Sequence, residues 1–357
     1  MRTPCILLAF LAMVLPVTAG GALPAPKGGC VIVTDYLKAD GKKDVSDILQ
    51  SIIDNNPNRT IFFPDGTYLL SKPIQTPADP EKSVSLWLAS YAILKADDGW
   101  KHEEAMVRLG GKDPCNNITI NGSNYFLDGG IIDGNGVAVG VSVDSGRETV
   151  IRNVSIKHVR IGIQINHGAN SGSSDCDVHN VNIVGNKAED SIGVLVIGYD
   201  NTFANMRIAA VHYGFKIRSQ GNAFRNIHPL YTSGGYESGE YESSCGFLDE
   251  SGGNNFYSQC YSDQFSTAFQ TNGGHVVYSD CFCMWYSSKG KKHVAFKSVG
   301  KFNATVSNMT VGAAPSTAAP ENIVLETAEE GGRGSFTNLF VQDDSILTDH
   351  VHERYMR

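Results

Sequence analysis

Asn201-Thr202-Phe203-Ala204-Asn205 recurs 21 residues later as Asn222-Ala223-Phe224-Arg225-Asn226, and again as Asn254-Asn255-Phe256-Tyr257-Ser258. Extended in both directions, this register places Ile151, Val178, Phe203, Phe224, Phe256, Val277, Val306 and Phe336 at one position. Two residues on, it places Asn153, Asn180, Asn205, Asn226, Ser258, Ser279, Asn308 and Asn338. The steps between copies run from 21 to 32 residues. Self-similarity at such a period marks a repeat architecture in which each unit buries its apolar face against the next.

A second column repeats with the first. A small residue opens an alternating segment at Gly140-Val141-Ser142-Val143, Gly162-Ile163-Gln164-Ile165, Gly193-Val194-Leu195-Val196, Gly214-Phe215-Lys216-Ile217, Gly246-Phe247-Leu248-Asp249, Ala268-Phe269-Gln270-Thr271 and Ala295-Phe296-Lys297-Ser298. Alternation of this kind reads as a strand with one buried face. A third segment follows each asparagine, as in Val154-Ser155-Ile156, Val181-Asn182-Ile183 and Met206-Arg207-Ile208. Three short strands per repeat predict an all-β parallel solenoid of about eight coils or more, rising about 4.8 Å per coil. Like residues then stack, with Phe203, Phe224 and Phe256 inside and the asparagines satisfying one another as buried turn amides.

Composition agrees. The chain has 357 residues, 37 acidic against 29 basic side chains and a formal net charge of −8. Hydrophobic residues make up 41% and charged residues 18%, with 38 glycines. That is too apolar for a disordered chain, and the acidic balance argues against a nucleic-acid partner. Arg2 followed by the apolar stretch Ile6 to Val14 reads as a signal peptide over residues 1–22, with small-residue cleavage patterns at Val17-Thr18-Ala19 and Ala22. No second stretch has the length of a membrane span. The expected product is secreted or periplasmic.

The remaining divisions are an N-terminal cap with the first coils over 23–115, the parallel β-helix over 116–342, and a C-terminal cap or tail over 343–357. In the first of these, Asp44-Val45-Ser46-Asp47-Ile48-Leu49-Gln50-Ser51-Ile52-Ile53 has helical spacing and is expected to cap the open end of the solenoid. Cleavage leaves Cys30, Cys115, Cys176, Cys245, Cys260, Cys281 and Cys283. Cys260 and Cys281 lie one coil apart, close enough for either a disulfide or a plain stack.

The chain resembles the pectate-lyase-like superfamily of right-handed parallel β-helices. The resemblance is carried by the helix-then-strand opening Asp44…Gln50…Phe63-Pro64-Asp65-Gly66-Thr67-Tyr68, by Gly129-Gly130-Ile131-Ile132-Asp133-Gly134-Asn135-Gly136, and by the asparagine column. It implies a single-stranded right-handed β-helix and a polysaccharide substrate lying in a groove over the first strand of each coil. Here the glycine-led strand is the first. The 32-residue coil carries an insertion running from His228 through Tyr231, Tyr236, Glu240, Tyr241 and Glu242 to Cys245. Loops that interrupt a short period are where function concentrates.

The paired aspartates of polygalacturonases and the aspartate cluster of calcium pectate lyases are absent from this sequence. Asp200-Asn201-Thr202 and Lys216-Ile217-Arg218 only echo the former in altered order. The candidates therefore follow from register. Lys216, Arg218 and Glu250, with Glu240 and Glu242 from the insertion, form the candidate catalytic set. Asp144, Asn166, His228, Tyr231, Tyr236, Tyr241, Gln270 and Asn272 form the candidate substrate-binding set. His167 and His212 read as turn histidines.

Three readings stay open. In a polysaccharide lyase acting on a pectin-like uronate glycan by β-elimination, Lys216 or Arg218 is base or carboxylate neutraliser, and Glu240, Glu242 and Glu250 hold calcium. In a polygalacturonase-like glycoside hydrolase, Glu250 pairs with Asp144, Glu240 or Glu242. In a non-catalytic glycan-binding or surface-structural solenoid, Tyr231, Tyr236 and Tyr241 are stacking platforms.

Overall fold

The computed structural model describes residues 29–112, 126–166, 173–231, 239–286, 292–314 and 321–342, with isolated positions beyond. The expected signal peptide and the boundary at 115 lie outside these residues, and the boundary at 342 lies at their edge. Among the described residues no helix is long and apolar enough to cross a membrane.

Every strand pairing is parallel, and each joins a strand to its counterpart one coil on. The chain is a right-handed parallel β-helix. Among the described residues ten strands form one ladder, from Ile74–Pro77 to Glu321–Thr327, and it contains the glycine- and alanine-led segments. The second and third strands of each coil form the other two faces, which meet at a sharp bend.

The glycine column follows from close approach. A Cβ on Gly162 would lie 2.5 Å from the carbonyl oxygen of Gly193, and one on Gly193 2.5 Å from that of Gly214. Inside, two aromatic stacks run along the axis. Phe215, Phe247, Phe269 and Phe296 stack with centroids 5.0–5.7 Å apart. Phe203, Phe224, Tyr257 and Tyr278 stack at 4.6–5.3 Å. The two columns meet edge to face, as at Phe203–Phe215 with an interplanar angle of 79°. Both geometries suit the ring quadrupole.

The register expected at Phe256 and Val277 is off by one residue. Phe224 pairs with Tyr257 and Tyr257 with Tyr278, while Phe256 is 51% exposed. One extra residue is accommodated at the turn, where Gly253 and Asn254 both have positive φ and the pairing register shifts. Aligned correctly, Asn255-Phe256-Tyr257-Ser258-Gln259 matches Asn222-Ala223-Phe224-Arg225-Asn226. Gln259 and Asp280, not Ser258 and Ser279, then continue the asparagine column.

That column is also exposed rather than buried. Asn153, Asn180, Asn205, Asn226, Gln259, Asp280, Asn308 and Asn338 all have φ between 50° and 58°, the left-handed bend between second and third strands. Asparagine tolerates this region better than other side chains. Amides link neighbouring coils, as from Asn226 Nδ2 to Asn205 Oδ1 at 2.9 Å and Asn338 Nδ2 to Asn308 Oδ1 at 2.9 Å. The buried ladder is a separate one, formed by the first asparagine of the motif. Asn201 Nδ2 donates to Asn222 Oδ1 at 2.9 Å and Asn222 Nδ2 to Asn255 Oδ1 at 3.1 Å.

A helix spans Ser46–Asn55 and sends Leu49, Ile52 and Ile53 into the core. Gln50 holds it to the first strand of that ladder through Gln75 N and O. At the other end, Tyr355 O accepts from Phe336 N at 2.8 Å, and the Tyr355 ring packs on Phe302. The six described cysteines are all free thiols, so Cys260 and Cys281 stack without bridging.

Candidate functional site

Lys216 and Leu248 are paired on adjacent glycine-led strands, and Arg218 and Glu250 follow two residues later, so all four face outward from neighbouring coils. Arg218 Nε donates to Glu250 Oε2 at 2.9 Å, and Lys216 Nζ lies 3.6 Å from Glu250 Oε1. The three side chains expected to converge do so. Glu250 and Arg218 are partly exposed, whereas Lys216 is 81% covered and sits 5.2 Å over the Tyr213 ring. Burial raises the Tyr213 phenol above its ordinary value, and Cys245, Glu250 and Glu189 raise it further. Tyr213 therefore keeps its proton at neutral pH.

Sequence reasoning missed Tyr213 and Glu189. Tyr213 immediately precedes the glycine that opened each aligned segment, one position outside the pattern. Glu189 lies in the turn before the preceding glycine-led strand, and only the coil geometry brings it toward the phenol.

Beneath the site lies a buried carboxylate. Asp249 occupies the inward column that holds Val143, Ile165, Val196 and Ile217 in earlier coils. Its Oδ1 accepts from Ser251 N at 3.0 Å and Ser251 Oγ at 2.5 Å. Its Oδ2 accepts from Asn255 Nδ2 at 2.9 Å and the Tyr257 hydroxyl at 3.0 Å. Four donors satisfy a charge that would otherwise be costly to bury, and they close the turn that carries Glu250.

Other candidates fall elsewhere. Asn272 follows Glu250 on the next coil and is exposed, and half-buried Gln270 follows Leu248. Asp144 is four coils from Glu250, about 19 Å at ~4.8 Å per coil. That exceeds the 5–9.5 Å that a glycosidase pair requires, so Asp144 is no partner for Glu250. It is bound instead by Arg108 Nε at 2.6 Å and Asn166 Nδ2 at 2.7 Å.

Tyr231 and Tyr241 are not stacking platforms, being 3% and 1% exposed. Their rings pack together, and the Tyr241 hydroxyl meets His293 Nε2 at 2.9 Å, so they anchor the insertion to the core. Tyr231 also packs on Phe265 and Tyr241 on the His293 ring, contacts that outweigh solvent for each. His212 Nε2 holds the same segment through Ser243 Oγ at 3.0 Å, as a turn histidine would. His228 is on the third-strand face, stacked 4.1 Å from Tyr261 and 3.5 Å from Asp263, because the strand continues to Leu230 before the insertion begins. Glu242 is exposed within the short turn Gly239–Ser243. Tyr236, His167 and the Glu240 side chain lie outside the described residues.

The expected calcium set includes Glu240, whose side chain lies outside the described residues. No three acidic, imidazole or thiol groups converge among the described residues, and both Glu250 oxygens face cations.

No curated protein matches the chain by sequence. The structure is similar to that of an alginate lyase from Paenibacillus sp. str. FPU-7, with a TM-score of 0.55, 14% identity, and 88% of this chain and 98% of that one covered. It is also similar to an endo-xylogalacturonan hydrolase from Aspergillus tubingensis, with a TM-score of 0.52, 14% identity and coverage of 86% and 91%. A third likeness is the tailspike gp49 of Acinetobacter baumannii bacteriophage Fri1, a capsular polysaccharide depolymerase, with a TM-score of 0.57, 12% identity and coverage of 91% and 61%. At such identities these likenesses speak for the β-helix alone. The family model described as "Rhamnogalacturonase A/epimerase, pectate lyase-like" matches residues 31–228, more than half of the sequence. The chain belongs to that family.

Proposed function

We propose that the protein is an exported carbohydrate-active enzyme that cleaves a uronate-containing polysaccharide by β-elimination at Lys216, Arg218, Glu250 and Tyr213. The observation that carries this reading is one carboxylate shared by two cations beside a phenol that keeps its proton. Arg218 engages Glu250 through Nε, which leaves its terminal nitrogens for the uronate carboxylate. Neutralising that carboxylate makes the C5 proton acidic. Glu250 takes the proton, the electron pair forms the C4–C5 double bond, the C4–O4 bond breaks, and O4 takes the Tyr213 proton. Lys216 holds Glu250 in place. Family membership supports the substrate class, and the apolar segment near the N-terminus supports export.

A hydrolase would need a second carboxylate at a fixed distance from Glu250, and Asp144 is too far away. The test is a panel of polygalacturonate, alginate and rhamnogalacturonan, followed by the ultraviolet absorbance of the unsaturated product. Glu250→Gln, Arg218→Ala and Tyr213→Phe are each expected to lower the rate by about 10²–10⁴-fold. New reducing ends without that absorbance would show hydrolysis, and neither signal would show a binder. Either result ends the lyase reading.

A further inference from the structure

The segment Asp133-Gly134-Asn135-Gly136, singled out in the sequence, takes no part in the site above. Its Asp133, Asn135 and Gly136 line an open cleft of about 520 Å³ at the turns leading from third strands into the next first strands, together with Lys95, His158 and Lys187. Lys95 and Asp133 are paired on adjacent third strands, and His158 and Lys187 come from the next two coils.

The cleft is rigidly built. Gly136 N donates to His158 O at 2.6 Å, and Asn186 Nδ2 donates to Gly136 O at 2.8 Å, which ties three successive coils together. A Cβ on Gly134 would lie 2.7 Å from Val159 Cγ1 and 2.8 Å from His158 O, so only glycine lets the turn close on its neighbour. Asn135, His158 and Lys187 all have left-handed backbones, with φ of 51°, 50° and 66°. For histidine and lysine that conformation is strained and persists only where the surroundings impose it.

The charges are unbalanced. Asp133 Oδ1 already accepts from Asn135 N at 3.0 Å and faces His158 Nδ1 at 3.0 Å. Asp98, at the rim, accepts from Asn135 Nδ2 at 2.9 Å. Neither Lys95 nor Lys187 has an ion-pair partner within 4.0 Å among the described residues. Among the described residues, two ammonium groups without an ion-pair partner and an imidazole thus line one cleft, whose one lining carboxylate is engaged.

We propose that this cleft is a second glycan site that binds an acidic polysaccharide, with Lys95 and Lys187, three coils or about 14 Å apart, holding carboxylates of different sugar units and the His158 ring lying between them. It lies two to five coils from Glu250, about 10–24 Å along the axis, and would hold a polymer while the other site cuts. The choice of ligand rests on the uronate reading of the substrate.

The test uses full-length Glu250→Gln protein, which holds substrate without turning it over, titrated calorimetrically with trigalacturonate, with inorganic sulfate and with neutral galactotriose. Trigalacturonate is expected to bind more tightly than sulfate, and galactotriose not at all. Adding Lys95→Ala and Lys187→Ala together is expected to weaken trigalacturonate by up to about tenfold, the scale of two exposed charge contacts. The far-ultraviolet circular dichroism should stay the same. Histidine ring signals lost in His158→Ala should shift on titration in the parent and not in the double lysine variant. Unchanged affinity in the lysine variant overturns the site. Lysine-dependent sulfate binding with no tighter trigalacturonate binding overturns the glycan assignment. Lysine-dependent trigalacturonate binding, alongside a wild type that yields no unsaturated product from any uronate polymer, supports the cleft and refutes only the reaction.

Discussion

Replacing Asp249 with alanine is expected to destabilise the coil beneath Glu250, and removing the Tyr257 hydroxyl as well is expected to restore part of the loss. The carboxylate accepts four hydrogen bonds. Without it, Asn255 Nδ2 keeps Ser219 O and Ser251 Oγ, each at 3.0 Å, and the Ser251 groups lie where water can reach them. Tyr257 has no such recourse. It is 1% exposed, and its phenol is raised well above its ordinary value by burial and then by Asp249. An orphaned buried hydroxyl costs about 1–3 kcal/mol, and each lost bond to a charged acceptor about 1.5–3 kcal/mol. Asp249→Ala should therefore cost about 3–5 kcal/mol. With ~2.1 cal/mol/K per residue over 357 residues, that is a fall of about 5 °C in Tm. Tyr257→Phe in the Asp249→Ala background removes the orphan and should raise Tm again by about 2 °C. Scanning calorimetry of the four proteins completes the cycle. A double variant no more stable than Asp249→Ala would refute the claim that the hydroxyl depends on that carboxylate. The same loosening should lower activity without touching Lys216 or Arg218.

The two asparagine ladders should respond differently. Asn222→Ala strips the buried Asn201 N–H of its acceptor and should cost about 2–3 kcal/mol, whereas Asn205→Gly, exposed and left-handed, should leave the urea midpoint almost unchanged. Of the six described cysteines, only exposed Cys30 should react with a thiol reagent in the native protein. Burial pushes Cys176 and Cys245 up to about 12, so both remain protonated and covered at neutral pH; fast labelling of either would contradict the core described above. Asp44 is opposed by burial, but bonds from Ser46 and Ser71 outweigh it and lower its pKa. A lowered folded value adds stability above the unfolded pKa near 3.9 and loses it as pH falls through the folded one. Hydrogen-exchange protection over Ser46–Asn55, taken relative to the intrinsic rate at each pH, should accordingly fall below about pH 4, and Asp44→Asn should abolish that dependence.

The coil was legible because the residues that make it repeat. A small residue, glycine in five coils and alanine in two, that admits a carbonyl of the next coil, and a left-handed bend held mostly by asparagine, recur whatever else varies. The register slipped at Phe256 because an extra residue at Gly253-Asn254 leaves an aromatic in either phase, Phe256 or Tyr257. Only the buried Asn201–Asn222–Asn255 ladder distinguishes the two. Lys216, Arg218 and Glu250 were legible because charges at matching positions of neighbouring coils must meet. Tyr231 and Tyr241 were not, because an insertion has no period to reveal which of its side chains turn inward. His228 was read as part of the loop, yet its strand continues to Leu230, with Pro229 at an inward position where it donates no ladder bond.

The place of the site along the axis has a physical origin. The inward column is aliphatic at Val143, Ile165, Val196 and Ile217, then becomes Asp249, Thr271 and Ser298. A wholly apolar interior has no means of fixing a turn except packing. Asp249 fixes the turn after its strand by directed bonds, and so fixes Glu250, which is otherwise held by its N–H on Ile217 O and by the cations Arg218 and Lys216. The change falls at the insertion, where the loop's own anchors, Tyr231 and Tyr241, also enter the core, the latter against His293. It falls just past the family match as well, which ends at residue 228. Lys216 and Arg218 thus lie in the part shared with the family, whereas Glu250, its buried support and the loop beside it lie beyond. Exchanging residues 229–263 with those of another member should therefore alter which glycan is accepted while the β-helix persists. Loss of the fold in such a chimera would show that Asp249 and its donors support the whole stack rather than the site alone.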